Sequence, residues 1–325
     1  MPDAFIVGVD IGGTKILVVV ADRRGKLLAR KYIPTQADAG PETGINRILQ
    51  AIKQVCQQAT IPSMDSLRGI GIAIAGLVDT PHGMLITSPH LPGWRNVPLK
   101  EQIETASGAQ TFVINDAKAA ALGEQKYGAG KGIKNQIYMT VSTGIGGGII
   151  INGSLYTGKS GMAGEIGHMV IDTNGPRCDC GNNGCLESLA SGTAVAREMS
   201  NRLANGESSI VRDMVSGRLR EITAEIVSKA AEQGDILAQE IIHQAGVYLG
   251  VGFANLVNIF NPELMIIGGG LAKIGNRLLD PAMSEMKRRA FAHPASQVHV
   301  VPPKLGDNSG AMGAVAYVLQ QTRVL

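Results

Sequence analysis

No apolar run in this chain reaches the ~18 residues that a membrane-spanning helix needs. Nothing resembling a secretory signal opens it: Met1-Pro2-Asp3-Ala4 leads straight into a strand candidate. A soluble, cytoplasmic protein is the expectation. Neither sign of charge dominates, with 30 Lys and Arg against 27 Asp and Glu, a net +3 spread along the chain. The concentrated basic face that nucleic acid calls for is missing. Aromatic residues make up only 4% of the chain. No P-loop pattern occurs, and no Gly-x-Gly-x-x-Gly opens a βαβ unit at the start. No heptad or large apolar stripe marks a subunit interface.

Cysteine is also rare, yet three of the 4 lie in one window. It reads Gly167-His168, then Cys178-Asp179-Cys180-Gly181-Asn182-Asn183-Gly184-Cys185-Leu186-Glu187. His168, Cys178, Cys180 and Cys185 offer one nitrogen and three sulfurs, a closed tetrahedral set for zinc. Soft thiolates with one imidazole favour zinc over magnesium or calcium. The alternative is a disulfide or buried free thiols, which a cytosolic setting disfavours. Cys56 stands alone in a helical stretch and reads as a small core residue.

A length of 325 residues exceeds one ordinary core and implies two domains or lobes. The pattern along the chain is α/β. Strands are expected over 5–9, 16–21, 26–33, 69–75, 112–114, 137–141, 148–151, 264–267 and 298–300. Helices are expected over 41–59, from Ala117, within 193–260, over 271–291 and over 310–320. In the first helix Ile45, Ile48, Leu49, Ile52 and Val55 share one face. Asn152-Gly153 is a hairpin turn signal.

Glycine is abundant, at 42 residues. Val9-Asp10-Ile11-Gly12-Gly13-Thr14 is echoed 134 residues later by Thr143-Gly144-Ile145-Gly146-Gly147-Gly148. Two copies of a strand–turn–strand unit suggest two similar lobes across a ligand cleft. Glycine turns can aim several N–H groups at phosphate oxygens. Asp10 beside the first turn suits Mg²⁺, held directly or through water, and Thr14 adds a hydroxyl. A third turn, Gly268-Gly269-Gly270, sits at a strand–helix junction where a nucleotide can approach the backbone. Asp116 ends a strand and opens an alanine-rich helix. It reads as an N-cap, and also as a general base for a sugar hydroxyl attacking phosphate. Both readings can hold. Glu165 and Glu187 flank the cysteine window and suit a polyol, or are solvated surface charges. One ring nitrogen of His168 can bind zinc while the other donates to a substrate oxygen.

The chain resembles the ROK family of sugar kinases and repressors over nearly its whole length. The resemblance rests on Asp10 to Lys15, Asn115-Asp116-Ala117, Ser142 to Gly148, Glu165-Ile-Gly-His168 and Cys178 to Glu187. It is strongest to the bacterial members that phosphorylate glucose. It implies an actin-like, ribonuclease-H-like duplicated α/β fold with two lobes around a cleft. The small lobe would span 1–117, completed by the helix 310–325, and the large lobe 118–309, carrying the zinc loop 165–187. It implies ATP-dependent transfer to the 6-hydroxyl of glucose, with Asp116 as base. Gly76, Asn115, Asp116, Glu165, His168 and Glu187 would bind sugar. Asp10, Gly12, Gly13, Thr14, Lys15, Thr143 and Gly144 would cradle phosphates and Mg²⁺, with Gly268, Gly269 and Gly270 beside the adenosine. Zinc would be structural, and the protein a homodimer or homotetramer. One departure is His90, where family kinases often carry asparagine before Gly-Trp. The rival readings are kinases of N-acetylmannosamine, N-acetylglucosamine or fructose, a non-catalytic sugar sensor, and a repressor. Glu165 favours glucose. A repressor needs a DNA-reading segment ahead of the first glycine turn, and nine residues precede Asp10.

Overall fold

A computed structural model of the chain describes residues 5–322. The opening Met1–Ala4 and the last three residues of the helix expected over 310–325 lie outside them. The strands are β1 (Phe5–Ile11), β2 (Lys15–Ala21), β3 (Leu27–Pro34), β4 (Leu67–Ile74), β5 (Leu77–Asp79), β6 (Met84–Thr87) and β7 (Arg95–Val97). They continue with β8 (Thr111–Asn115), β9 (Gln136–Val141), β10 (Ile145–Ile151), β11 (Ser154–Leu155), β12 (Leu264–Gly268) and β13 (His299–Val301). The helices are α1 (Gly40–Gln58), α2 (Leu99–Ser107), α3 (Asp116–Tyr127), α4 (Leu186–Ala190), α5 (Gly192–Ala204) and α6 (Val211–Met214). After them come α7 (Ala224–Glu232), α8 (Ile236–Phe260), α9 (Asn276–Arg289), α10 (Ala292–Gln297) and α11 (Ser309–Gln321).

Two five-stranded sheets share one topology. The first has the order β3-β2-β1-β4-β8 and the second β11-β10-β9-β12-β13. Each begins with a hairpin turn between its first two strands, Gly12–Thr14 in one and Ser142–Gly144 in the other. The duplication expected from the internal echo is present, but its register differs. Gly146, Gly147 and Gly148 lie inside β10 rather than in the turn. The small sheet β5-β6-β7 and helix α2 carry no clear sequence signal and were not expected.

Side chains alternate across a strand, and the first sheet uses both faces. Val7, Val9 and Ile11 join Ile45, Ile48, Ile52 and Val55 of α1 in one core. Leu49 packs at its margin, only partly buried. On the other face Ile6, Leu17 and Val19 meet Ala311, Met312, Val315 and Val318 of α11. Gly8 and Gly71 stand against the backbone of Ala311 and Ala314, so a Cβ at either would push α11 off the sheet.

The chain divides into two compact units. The described residues up to Tyr138, with Gly148–Gly164 and those from Pro303 on, form the first. Met139–Gly147 and Glu165–Pro302 form the second. Thus α3 stays with the first unit, whereas the sequence reading ends that lobe at 117. The reason is packing: Gly313 of α11 leaves room only for the backbone of Ala119, and Gly123 for that of Ser309 and Gly313. Within the second unit, Gly246 and Gly250 let α8 approach Leu278, Pro281 and Ala282 of α9 closely. No helix among the described residues is long and apolar enough to cross a membrane.

Candidate active site

The junction of β8 and α3 corrects one expectation. The N-cap is Asn115, not Asp116. Asn115 Oδ1 accepts the N–H groups of Ala117 (3.1 Å) and Lys118 (3.2 Å). Its Nδ2 donates to Asp116 Oδ1 at 3.0 Å and to the Gly76 carbonyl at 3.2 Å. Asp116 becomes the first helical residue, where the helix N-terminus favours negative charge. Gly76 has φ 134°, and a Cβ there would strike the Thr87 carbonyl. Only glycine fits, and the fit delivers its carbonyl to Asn115.

Asp10 lies one residue before the end of β1. Burial, then the charges of Asp116 and Asp307, push its carboxyl up to about 7, while Lys15 acts the other way. Lys15 Nζ is 3.2 Å from Asp307 Oδ2 and 5.3 Å from the centre of the Tyr32 ring. Gly310, in the first turn of α11, abuts the Asp10 carboxylate so closely that a Cβ there would collide with it. Asp307 and Gly310 were missed from the sequence. Their signal was Gly306-Asp307-Asn308-Ser309-Gly310 opening a helix, which reads locally as turn chemistry alone.

The turn beside Asp10 is tighter than a free nest. The Gly12 N–H closes it onto the Lys15 carbonyl at 3.1 Å, so its other N–H groups are those of Gly13 and Thr14. Buried Thr35 donates its N–H to the Thr14 carbonyl and its Oγ1–H to that of Gly12 (2.6 Å). Gly13 faces His90, whose Cβ would lie 2.9 Å from an added Cβ. His90 therefore borders this turn.

In the second unit the Ser142–Gly144 turn meets the Gly268–Gly270 turn. Gly269, at φ 95°, presses on the Val141 backbone, and Gly270 lies near Ser142 Oγ. The Thr143 carbonyl accepts Thr193 Oγ1–H at 2.9 Å. Glu187 Oε2 accepts the Ile145 N–H at 2.7 Å and covers Gly144, so one of its oxygens is already engaged. The helix expected to begin at Leu271 does not do so. A short 3₁₀ turn, Leu271–Ile274, comes first, and Gly275 at φ 72° resets the chain before α9.

The cysteine window forms a ligand cluster. One donor atom from each of His168, Cys178, Cys180 and Cys185 lies within 4.8 Å of all the others. Cys178 Sγ is 3.7 Å from His168 Nδ1, and Cys180 Sγ is 3.6 Å from Cys185 Sγ. Ligands about 2.3 Å from a central zinc, set tetrahedrally, stand roughly 3.7 Å apart. Without a cation this environment favours neutral thiols at Cys178 and Cys185, so thiolates there would need a metal to balance their charge. Burial pushes Cys185 up to about 12 and also raises Cys178, while the Asn182 N–H lowers Cys180. The loop is pinned by Cys178 N–H to Asn182 O (2.7 Å) and Leu186 N–H to Met169 O (2.8 Å). Gly184, at φ 65°, fits against the Asp172 carbonyl where no Cβ could stand. With Nδ1 of His168 on the sulfur side, Nε2 is the nitrogen left for a second partner. Glu165 is exposed and precedes the 3₁₀ turn Ile166–His168. Gly167 packs on the Ile145 carbonyl.

The chain matches the ROK family over residues 6–321. It is 35% identical to a glucokinase of Thermotoga maritima, covering 99% of both chains. It is 33% identical to a putative xylose repressor of a Caldicellulosiruptor species, covering 97% of this chain and 78% of that one. Its fold superposes with a TM-score of 0.82 on a ROK family glucokinase from Streptomyces griseus in complex with glucose and AMPPNP, 33% identical, over 98% of this chain and 100% of that one.

Proposed function

We propose that this chain, which belongs to the ROK family, transfers the γ-phosphoryl group of ATP to the 6-hydroxyl of glucose, with Asp116 as general base. The observation that carries this reading is the β8–α3 junction. Asn115 takes over the capping, and its amide fixes Asp116 from the side. A carboxylate held there, beside Asp10, suits proton abstraction from a hydroxyl. The likeness to a relative crystallised with glucose and AMPPNP supports both substrates. The proposed setting is cytoplasmic, where ATP and free hexose meet.

Asp116 accepts the hydroxyl proton as the sugar oxygen attacks phosphorus in line. Asn115 and Gly76 position that carboxylate and are assigned to the sugar end. Glu165, His168 through Nε2, and the open oxygen of Glu187 are assigned as further hydroxyl partners. The turns around Gly12, Gly13, Thr14, Thr143 and Gly144 receive phosphate oxygens, and Gly268–Gly270 the adenosine. Asp10, with Asp116 and Asp307 in electrostatic reach, would hold Mg²⁺, and Lys15 balances their charge. Mg²⁺ when bound neutralises charge on the transferring phosphoryl group. His168, Cys178, Cys180 and Cys185 would hold a structural zinc that makes the loop rigid.

The reading is tested with Asp116→Asn and with 6-deoxyglucose. Asp116→Asn should lower kcat by at least ~10²-fold with an unchanged circular dichroism spectrum and near-normal glucose KM. The 6-deoxy sugar should inhibit competitively and never turn over. A kcat within threefold of wild type in Asp116→Asn would leave that carboxylate without a catalytic role.

A further inference from the structure

We infer that Glu124 is a positioning residue for phosphoryl transfer, a carboxylate clamp that holds the Lys304–Ser309 segment, and with it Asp307 and Gly310, against Asp10. The inference rests on the phosphoryl-transfer reading above.

Glu124 sits two turns along α3 from Asp116 and is fully buried. Buried carboxylates are rare unless their oxygens are satisfied. Oε1 accepts the Leu305 N–H at 2.8 Å, and Oε2 accepts the N–H groups of Lys304 (3.0 Å) and Ala129 (2.8 Å). Ser309 Oγ lies 2.8 Å from Oε1 and 2.8 Å from the Gly306 carbonyl, sharing one proton between them. Every group facing Glu124 in these contacts is a donor, and two of the N–H groups come from the loop entering α11. Gly128 is tucked against the same carboxylate, where a Cβ would collide with it.

This geometry does more than anchor a loop. The clamped segment is continuous with Asp307, which pairs with Lys15, and with Gly310, which abuts the Asp10 carboxylate. The same helix α3 begins with Asp116. One rigid body thus carries the proposed base at one end and, near the other, the fastening for the segment that closes over Asp10. Glutamine cannot replace Glu124 without conflict. Whichever way its amide turns, an NH₂ group meets the Leu305 N–H or those of Lys304 and Ala129.

The test compares wild type with Glu124→Gln, Glu124→Asp and Ser309→Ala. Three measurements are made on folded protein: amide hydrogen exchange over 304–309, calorimetric affinity for Mg²⁺-ADP, and separate KM values for Mg²⁺-ATP and glucose. In Glu124→Gln, the Lys304 and Leu305 amides should exchange faster. The Mg²⁺-ADP affinity should fall ~10-fold and KM for Mg²⁺-ATP should rise by a similar factor, with glucose KM within twofold. Glu124→Asp should restore part of the loss. Should Glu124→Gln fail to fold, Ser309→Ala carries the comparison with a shift of roughly threefold. Faster exchange with unchanged nucleotide affinity would overturn the inference, because the clamp would then be structural only. Unchanged exchange would overturn it as well. A wild type that binds Mg²⁺-ADP but turns over no sugar would count against the kinase reading and leave the clamp to be judged on affinity. A wild type that binds no Mg²⁺-ADP would overturn both.

Discussion

Asn115 and Asp116 divide two tasks that either residue type can perform. Asparagine and aspartate are about equally good N-caps, so local sequence favoured the residue beside the alanine run. The Gly76 carbonyl breaks that tie, because it accepts the Asn115 Nδ2–H and turns Oδ1 toward the helix. That partner is 39 positions away and invisible to any local rule. Asn115→Ala should therefore lose about 1 kcal/mol of stability and also lower kcat, since Asp116 loses its lateral hydrogen bond. Thermal melting and initial rates measure the two effects separately. Asp10 gives a second expectation. Folding raises its carboxyl from 3.8 to about 7, so between those values the folded chain holds a proton that the unfolded chain does not. Stability then falls as pH rises through that window. In chelator at pH 8, Asp10→Asn should melt roughly 1–3 °C higher than wild type, with the gap closing below pH 4, while Mg²⁺-ATP turnover is abolished. A lower Tm in the variant at pH 8 would contradict this account of Asp10.

Elements show where sequence patterns suffice. The cysteine loop was legible because its ligands are close in sequence and chemically distinctive. Its geometry needs only short-range turns at Gly181 and Gly184. Cys180→Ser should lose stoichiometric zinc in elemental analysis, lower Tm by several degrees, and raise glucose KM more than KM for ATP. Full metal content with wild-type kinetics would remove zinc from the account. The helix expected over 271–291 was less legible, because Gly275 at φ 72° splits it, and apolar periodicity does not register one left-handed glycine. Within α9, Glu285 accepts from Arg288 at 2.7 and 2.8 Å and from Arg289. The hydrogen bonds of Arg288, then that of Arg289, hold its carboxyl down at about 2. Its stabilising contribution is complete above the ordinary value of 4.5 and is lost as pH falls toward 2. Glu285→Gln should thus lower Tm slightly at pH 7, with the difference shrinking between pH 5 and pH 2. The arginines are solvent-facing, so added salt should shrink it too.

For the whole molecule, the duplicated α/β plan was readable because both hairpins use glycine turns after buried strands. The register was not, since Gly146–Gly148 look like a turn and serve as strand residues, with Gly148 against α3. There Gly148 lets Ala117 and Ala121 approach. The small sheet of β5, β6 and β7 escaped notice because its strands are three or four residues long and lack clean alternation. Asp307 and Gly310 escaped because nearly the whole chain separates them from Asp10, and only the docking of α11 on β1 and β4 brings them together. The measurement that tests the central claim most directly is sugar-dependent ADP release by the purified chain with Mg²⁺-ATP. The panel is glucose, mannose, fructose, N-acetylglucosamine and N-acetylmannosamine. The account predicts the highest kcat/KM for glucose, lost in Asp116→Asn. A clear preference for fructose or an N-acetylated sugar would contradict the substrate assignment and turn attention to His90. No turnover on any sugar would contradict the kinase itself.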